Sequence, residues 1–65
     1  MTIKARIIDL LSSTTTPLDD DEIGLRLGIE PRQTVNRMCR ELAKAGVLDR
    51  WQEPGFKIVN RLRRP

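Results

Sequence analysis

The sequence predicts a mainly α fold, three helices followed by one small β-hairpin. Three observations lead there. Apolar residues recur at helical spacing in three segments, each opened by a capping signal and closed by a stop signal. A Pro54-Gly55 pair then separates two short runs rich in β-branched and aromatic residues, which is a hairpin pattern. With 65 residues, 38% of them hydrophobic, the chain can build one compact core and is expected to be a single domain over 1–65.

The first helix is expected over about 3–12. Ile3, Ile7, Leu10 and Leu11 lie on one face, Thr2 can cap the N-terminus, and the hydroxyl-rich run Ser12 to Thr16 before Pro17 ends it. The second is expected over about 20–27, burying Ile23 and Leu27. Asp19 with Glu22 has capping-box spacing, the adjacent acids suit the helix dipole, and Gly28 is the stop. Helix capping accounts for all four acids at 19–22, so a metal site there is not expected. The third helix is expected over about 31–45, opened by Pro31 and stopped by Gly46. The hairpin is expected over 47–60, with a type II turn at Pro54-Gly55 and with Phe56 and Ile58 facing inward. Leu48 and Trp51 have opposite parity, so only a bulge or an early strand end would bury both. The tail 61–65 is basic and expected to fray.

Composition excludes several functions. No apolar run approaches the ~20 residues of a membrane span, and the start lacks a secretory h-region, so a cytoplasmic protein with no membrane partner is expected. One Cys and no His exclude a disulfide framework and a His/Cys zinc site. The single Cys39 falls on the buried stripe of the third helix, and no base accompanies Ser12-Ser13, so no enzyme, metal or cofactor is expected. Gly24 and Gly28 are architectural: no strand precedes them and no P-loop lysine follows.

Charge points the other way, toward a polyanion. Residues 1–30 carry a net −3 and residues 31–65 a net +6, so the overall +3 hides a strongly basic second half. At about 100° per residue, Val35, Met38, Cys39 and Leu42 form the buried stripe of the third helix. Gln33, Arg37, Arg40 and Lys44 fall together on the opposite face, with Arg32 and Asn36 flanking them. The bland alternative is an ordinary solvated basic face.

The order helix, helix, short turn, helix, hairpin carries a family resemblance. Ile23-Gly24 and Leu27-Gly28-Ile29 resemble a helix-turn-helix, with a small residue at the helix crossing and Gly in the turn. The run Arg32-Gln33-Thr34-Val35-Asn36-Arg37 resembles the recognition helix of cyclic-AMP-receptor-type bacterial regulators. Leu42 to Leu48 looks like the passage into the wing of winged regulators. The resemblance covers about 3–60 and implies a winged helix-turn-helix. A second resemblance, to Zα-type domains that bind left-handed DNA, rests on Asn36-Arg37, Leu42-Ala43-Lys44 and Pro54 with Phe56-Lys57-Ile58. That family's helix Tyr is Arg40 here, its wing Trp is Phe56, and one wing Pro is Glu53.

The resemblance implies a small transcriptional regulator that binds double-stranded DNA in a sequence-specific way. Arg32, Gln33, Asn36 and Arg37 are expected to meet base edges, and Thr34 a phosphate or a thymine methyl. Arg40 and Lys44 are expected to track phosphates, with Lys57 and Arg50 placing charge from the wing. Arg61, Arg63 and Arg64 would add salt-sensitive affinity. A single domain covers one half-site, so a homodimer or a larger regulatory partner is expected; a small-molecule ligand is not. The alternatives left open are a protein-interaction module and RNA or left-handed DNA binding.

Overall fold

A computed structural model describes residues 1–64. Helix α1 spans Ile3–Ser12, strand β1 Leu18–Asp19, helix α2 Asp20–Leu27, helix α3 Arg32–Lys44, strand β2 Leu48–Gln52 and strand β3 Ile58–Leu62. The three strands form one antiparallel sheet in the order β1-β3-β2.

Capping sets the helix bounds. Thr2 Oγ1 accepts the Ala5 N–H at 3.1 Å, and Asp19 Oδ1 accepts the Glu22 N–H at 2.8 Å. Glu22 does not complete a reciprocal box, because its Oε1 accepts from Arg26 Nε at 2.8 Å instead. Gly28 ends α2 at φ 66°, ψ 36°, a left-handed conformation that costs a residue without Cβ nothing. Pro31 is the N-cap of α3 and Ala45 its C-cap, so the helix is one residue shorter at each end than the expected 31–45. At Gly24 an added Cβ would meet Ile29 O at 3.4 Å and Val35 Cγ2 at 3.5 Å. That is an ordinary contact, so the crossing is close without requiring glycine.

The sheet differs from the expected 47–60 hairpin in three ways. First, β1 is a third strand that sequence reading did not foresee, with Leu18 opposite Asn60. Second, β3 runs on into the expected tail. Leu62 pairs with Leu48 and packs on the core, and the Arg63 N–H bonds Val47 O at 2.9 Å, so Arg61 to Arg63 are held rather than frayed. Pro65 lies outside the described residues. Third, Phe56 and Ile58 do not face inward. Pro54-Gly55 does turn the chain, with the Phe56 N–H bonding Glu53 O at 3.0 Å and Gly55 at φ 96°, which leaves Phe56 at the tip, 85% exposed. Ile58 shares the inner parity of Asn60 and Leu62 but remains exposed.

Regular register also resolves the parity conflict in β2. Leu48 and Arg50 lie on the face toward the helices, opposite Leu62 and Asn60. Trp51 lies on the outer face beside Val59, and no bulge is needed. The core joins Ile7 and Leu11 of α1, Ile23 of α2, Val35, Cys39 and Leu42 of α3, and Leu18, Ile29 and Leu48.

Cys39 is fully buried in that core. Burial pushes its thiol from 9.0 up to about 12, and the charge of nearby Asp20 adds to the rise. An unfolded thiol ionises near 9 while the folded one stays protonated, so stability should fall as pH rises above 9 toward 12. The expected slope is about 1.4 kcal/mol per pH unit. Urea titrations between pH 8 and 10.5, compared with Cys39→Ala, check this. Parallel pH profiles for the two proteins would contradict it.

Candidate nucleic-acid interface

The solvent face of α3 carries three cations and an amide. Gln33, Arg37, Arg40 and Lys44 are all exposed along it. Among the described residues, Arg37, Arg40 and Lys44 form no salt bridge. The one acid of this helix, Glu41, turns away and pairs with Lys4 of α1 at 2.7 Å. The hydrogen bond and charge of Lys4 hold that carboxyl below its usual range, with Arg37 and Arg40 adding to the effect. The cationic face therefore keeps its charge.

Two other expected contacts are tethered. Arg32 Nε lies 2.8 Å from Asp21 Oδ1, and Lys57 Nζ lies 3.5 Å from Asp19 Oδ2. Both cations are largely exposed, and such surface pairs contribute about 0–1 kcal/mol, so a phosphate can displace the carboxylate at little cost. Thr34 is half-buried in the first turn, with its N–H on Pro31 O at 3.0 Å.

Arg50 is not on this surface. Its side chain is 9% exposed, and its guanidinium makes a two-pronged contact with Asp20, Nη1 to Oδ1 at 2.7 Å and Nη2 to Oδ2 at 2.9 Å. The same Nη1 donates to Asn60 Oδ1 at 2.7 Å. Asn60, fully buried, donates from Nδ2 to Leu18 O at 3.1 Å and to Asp20 Oδ1 at 2.8 Å. Asn36 Nδ2 completes the set, 3.0 Å from Asp20 Oδ2. Arg50 thus has no reach toward a ligand, because its inward parity places it under the sheet.

Burial alone would raise the Asp20 carboxyl. The hydrogen bonds from Arg50, Asn60 and Asn36, with the Arg50 charge, outweigh burial and hold it below the usual carboxylate value of 3.8. Asp20 is therefore more than one of four capping acids. It ties the start of α2 to α3, β2 and β3. Asp19 is the cap, Glu22 pairs with Arg26 and Asp21 with Arg32. The four acids have separate partners, and no cluster suited to a metal ion occurs among the described residues. Sequence reading missed Asp20 and Asn60. The available signal was a pair of polar residues, Arg50 and Asn60, at strand positions whose neighbours of like parity, Leu48 and Leu62, are apolar.

Arg61 and Arg63 sit on the outer face of the sheet, and Arg64 follows the strand as an exposed residue. Arg61 lies over the Trp51 ring, 5.3 Å from its centroid, and Asp49 takes Arg63 at 2.8 Å and Arg61 at 3.9 Å. Trp51 therefore packs within the hairpin. No helix among the described residues is long and apolar enough to cross a membrane.

No protein-family model matches this sequence, and no curated protein matches it. Among solved structures, the chain is similar to the PcaV transcriptional regulator from Streptomyces coelicolor, crystallised with its natural ligand. The TM-score is 0.84 and the identity 25%, over 97% of this chain and 45% of that one. The chain thus spans under half the length of that transcriptional regulator. Three helices, a three-stranded antiparallel sheet and this likeness identify the fold as a winged helix-turn-helix, with α3 in the place of the recognition helix and the β2–β3 hairpin as the wing.

Proposed function

We propose that this chain binds double-stranded DNA in a sequence-specific way, as a small transcriptional regulator or the DNA-binding part of one. The observation that carries the reading is the exposed face of α3, where Arg37, Arg40 and Lys44 stand beside Gln33 with no salt-bridge partner among the described residues. A major groove about 12 Å wide admits one helix. Gln33, Arg37 and the released Arg32 meet base edges from the N-terminal half of α3, and Thr34 supports them from the first turn. Arg40 and Lys44, further along, meet phosphates, and Lys57 brings the wing to the neighbouring backbone or minor groove. The likeness to PcaV, a transcriptional regulator, supports the same reading. One such domain covers a single half-site, so useful specificity calls for a second copy or a larger regulatory partner.

Titration of isotope-labelled protein with a mixed-sequence duplex, followed by NMR at two salt concentrations, tests the proposal. Salt-sensitive shifts along Arg32–Lys44 and at Lys57 are expected. Absence of shifts at low salt would overturn it and turn the search to protein partners, starting at the exposed Leu25 of α2.

A further inference from the structure

We infer that Asp20 is a positioning residue that fixes which end of the Asn36 amide faces outward, so that Asn36 reads a hydrogen-bond donor in the major groove, the exocyclic amino group of adenine or cytosine. The inference rests on the DNA reading above and adds Asn36 to its base contacts, with a polarity.

A free asparagine can turn its amide over and offer either a carbonyl oxygen or an NH2 group. Asn36 cannot. Its Nδ2 lies 3.0 Å from Asp20 Oδ2, and that carboxylate is in turn gripped by Arg50 and Asn60. An ionised carboxylate only accepts hydrogen bonds. Turning the Asn36 amide over would set two acceptor oxygens face to face at hydrogen-bond distance and strip a donor from a buried anion. One N–H of the amide is therefore committed inward, which fixes the nitrogen on that side and leaves Oδ1 on the other. No protein donor among the described residues reaches it, and no buried polar side-chain atom lacks a partner, so Oδ1 is open to solvent.

Its surroundings suit a base edge. Asn36 lines a cleft of about 220 Å³ between α3, the start of α2 and the wing, with Arg32 and Lys57 on its walls. Three carboxylates share the cleft: Asp20 is held by Arg50 and Asn60, and Asp19 and Asp21 are each paired in the free protein with one of those cations. In the major groove only adenine N6 and cytosine N4 present a donor, whereas guanine O6 and thymine O4 are acceptors that would meet Oδ1 with repulsion.

Two measurements test this, and the first needs no DNA. In the free protein, the side-chain N–H of Asn36 that is bonded to Asp20 should exchange with solvent at least roughly tenfold more slowly than either side-chain N–H of exposed Gln33, because a hydrogen bond to a buried anion must open first. Equal exchange for the two would overturn the inference whatever DNA does. The second is selection from a randomised duplex, followed by affinity measurement on the selected site. One position should favour adenine or cytosine on one strand, and Asn36→Ala should lose that preference. Replacing the selected base by its analogue lacking the amino group (purine for adenine, pyrimidin-2-one for cytosine) should weaken the wild-type protein roughly three- to tenfold and leave Asn36→Ala unaffected. DNA binding with no position sensitive to Asn36→Ala, or with a guanine or thymine preference there, would overturn the inference alone. No binding to any duplex at low salt would overturn both it and the DNA reading.

Discussion

Asp20→Ala is expected to leave little folded protein at room temperature. The substitution removes the one carboxylate that faces the Arg50 guanidinium among the described residues and strands Asn60 and Asn36 without their shared acceptor. Breaking one side of a buried ion pair costs about 3–5 kcal/mol. A domain of this size has a margin of about the same 3–5 kcal/mol, so the loss approaches the whole. The neighbouring acids provide the controls. Asp19→Ala removes a helix cap and should cost about 1 kcal/mol, and Asp21→Ala breaks an exposed pair and should cost under about 1 kcal/mol. Urea or thermal unfolding of the three variants checks the order. Equal stability of Asp20→Ala and Asp21→Ala would show that the buried pair contributes nothing.

The same residue sets an acid limit. The Asp20 carboxyl titrates below 3.8 in the folded chain and near 3.8 in the unfolded one. The unfolded state therefore binds the proton first. The stability Asp20 contributes is present above pH 3.8 and is lost as pH falls through the lower folded value.

Replacing Arg37, Arg40 and Lys44 together by Ala is expected to flatten the salt dependence of DNA binding without harming the fold. Each phosphate contact adds about 0.9 to the slope of log affinity against log salt. Arg40 and Lys44 are the two placed on phosphates, so the triple variant should lower that slope by about 1.8. None of the three cations is buried, and none is paired among the described residues, so each should alter stability by no more than about 0.5 kcal/mol. The single variants separate their roles. Arg37→Ala should cost about 1–3 kcal/mol and relax one base position if Arg37 reads a base, while Lys44→Ala should weaken every sequence alike. Anisotropy titrations across a salt series measure both effects. An unchanged slope in the triple variant would remove this face from the interface.

Much of the fold was legible because its boundaries are local. Thr2, Asp19 and Gly28 act within one helical turn, so their consequences can be read without knowing what packs on what. The Pro54-Gly55 turn is local in the same way. The stripe on α3 was legible too, since Val35, Cys39 and Leu42 are buried while Gln33, Arg37, Arg40 and Lys44 are exposed. What escaped was non-local. Strand β1 is two residues long, too short for any period, and exists because β3 offers an edge. Asp20 looked like a cap because its partners, Arg50 and Asn60, lie 30 and 40 residues away. Arg50 looked like a wing contact because charge is visible in a sequence and inward parity needs a register. Phe56 looked apolar and hence internal, whereas the turn carries it to the tip.

The Asp20 carboxylate joins α2, α3, β2 and β3 through three side chains. Helix and wing are thereby braced against one another, and neither can swivel without breaking a bond to a buried anion. A reader so braced cannot conform to a duplex whose groove spacing is wrong. The adjustment falls on the nucleic acid, which must bend or twist to fit, at a cost set by the stiffness of its own base steps. Flexible pyrimidine–purine steps between the α3 and wing contacts would then favour binding at positions no side chain touches.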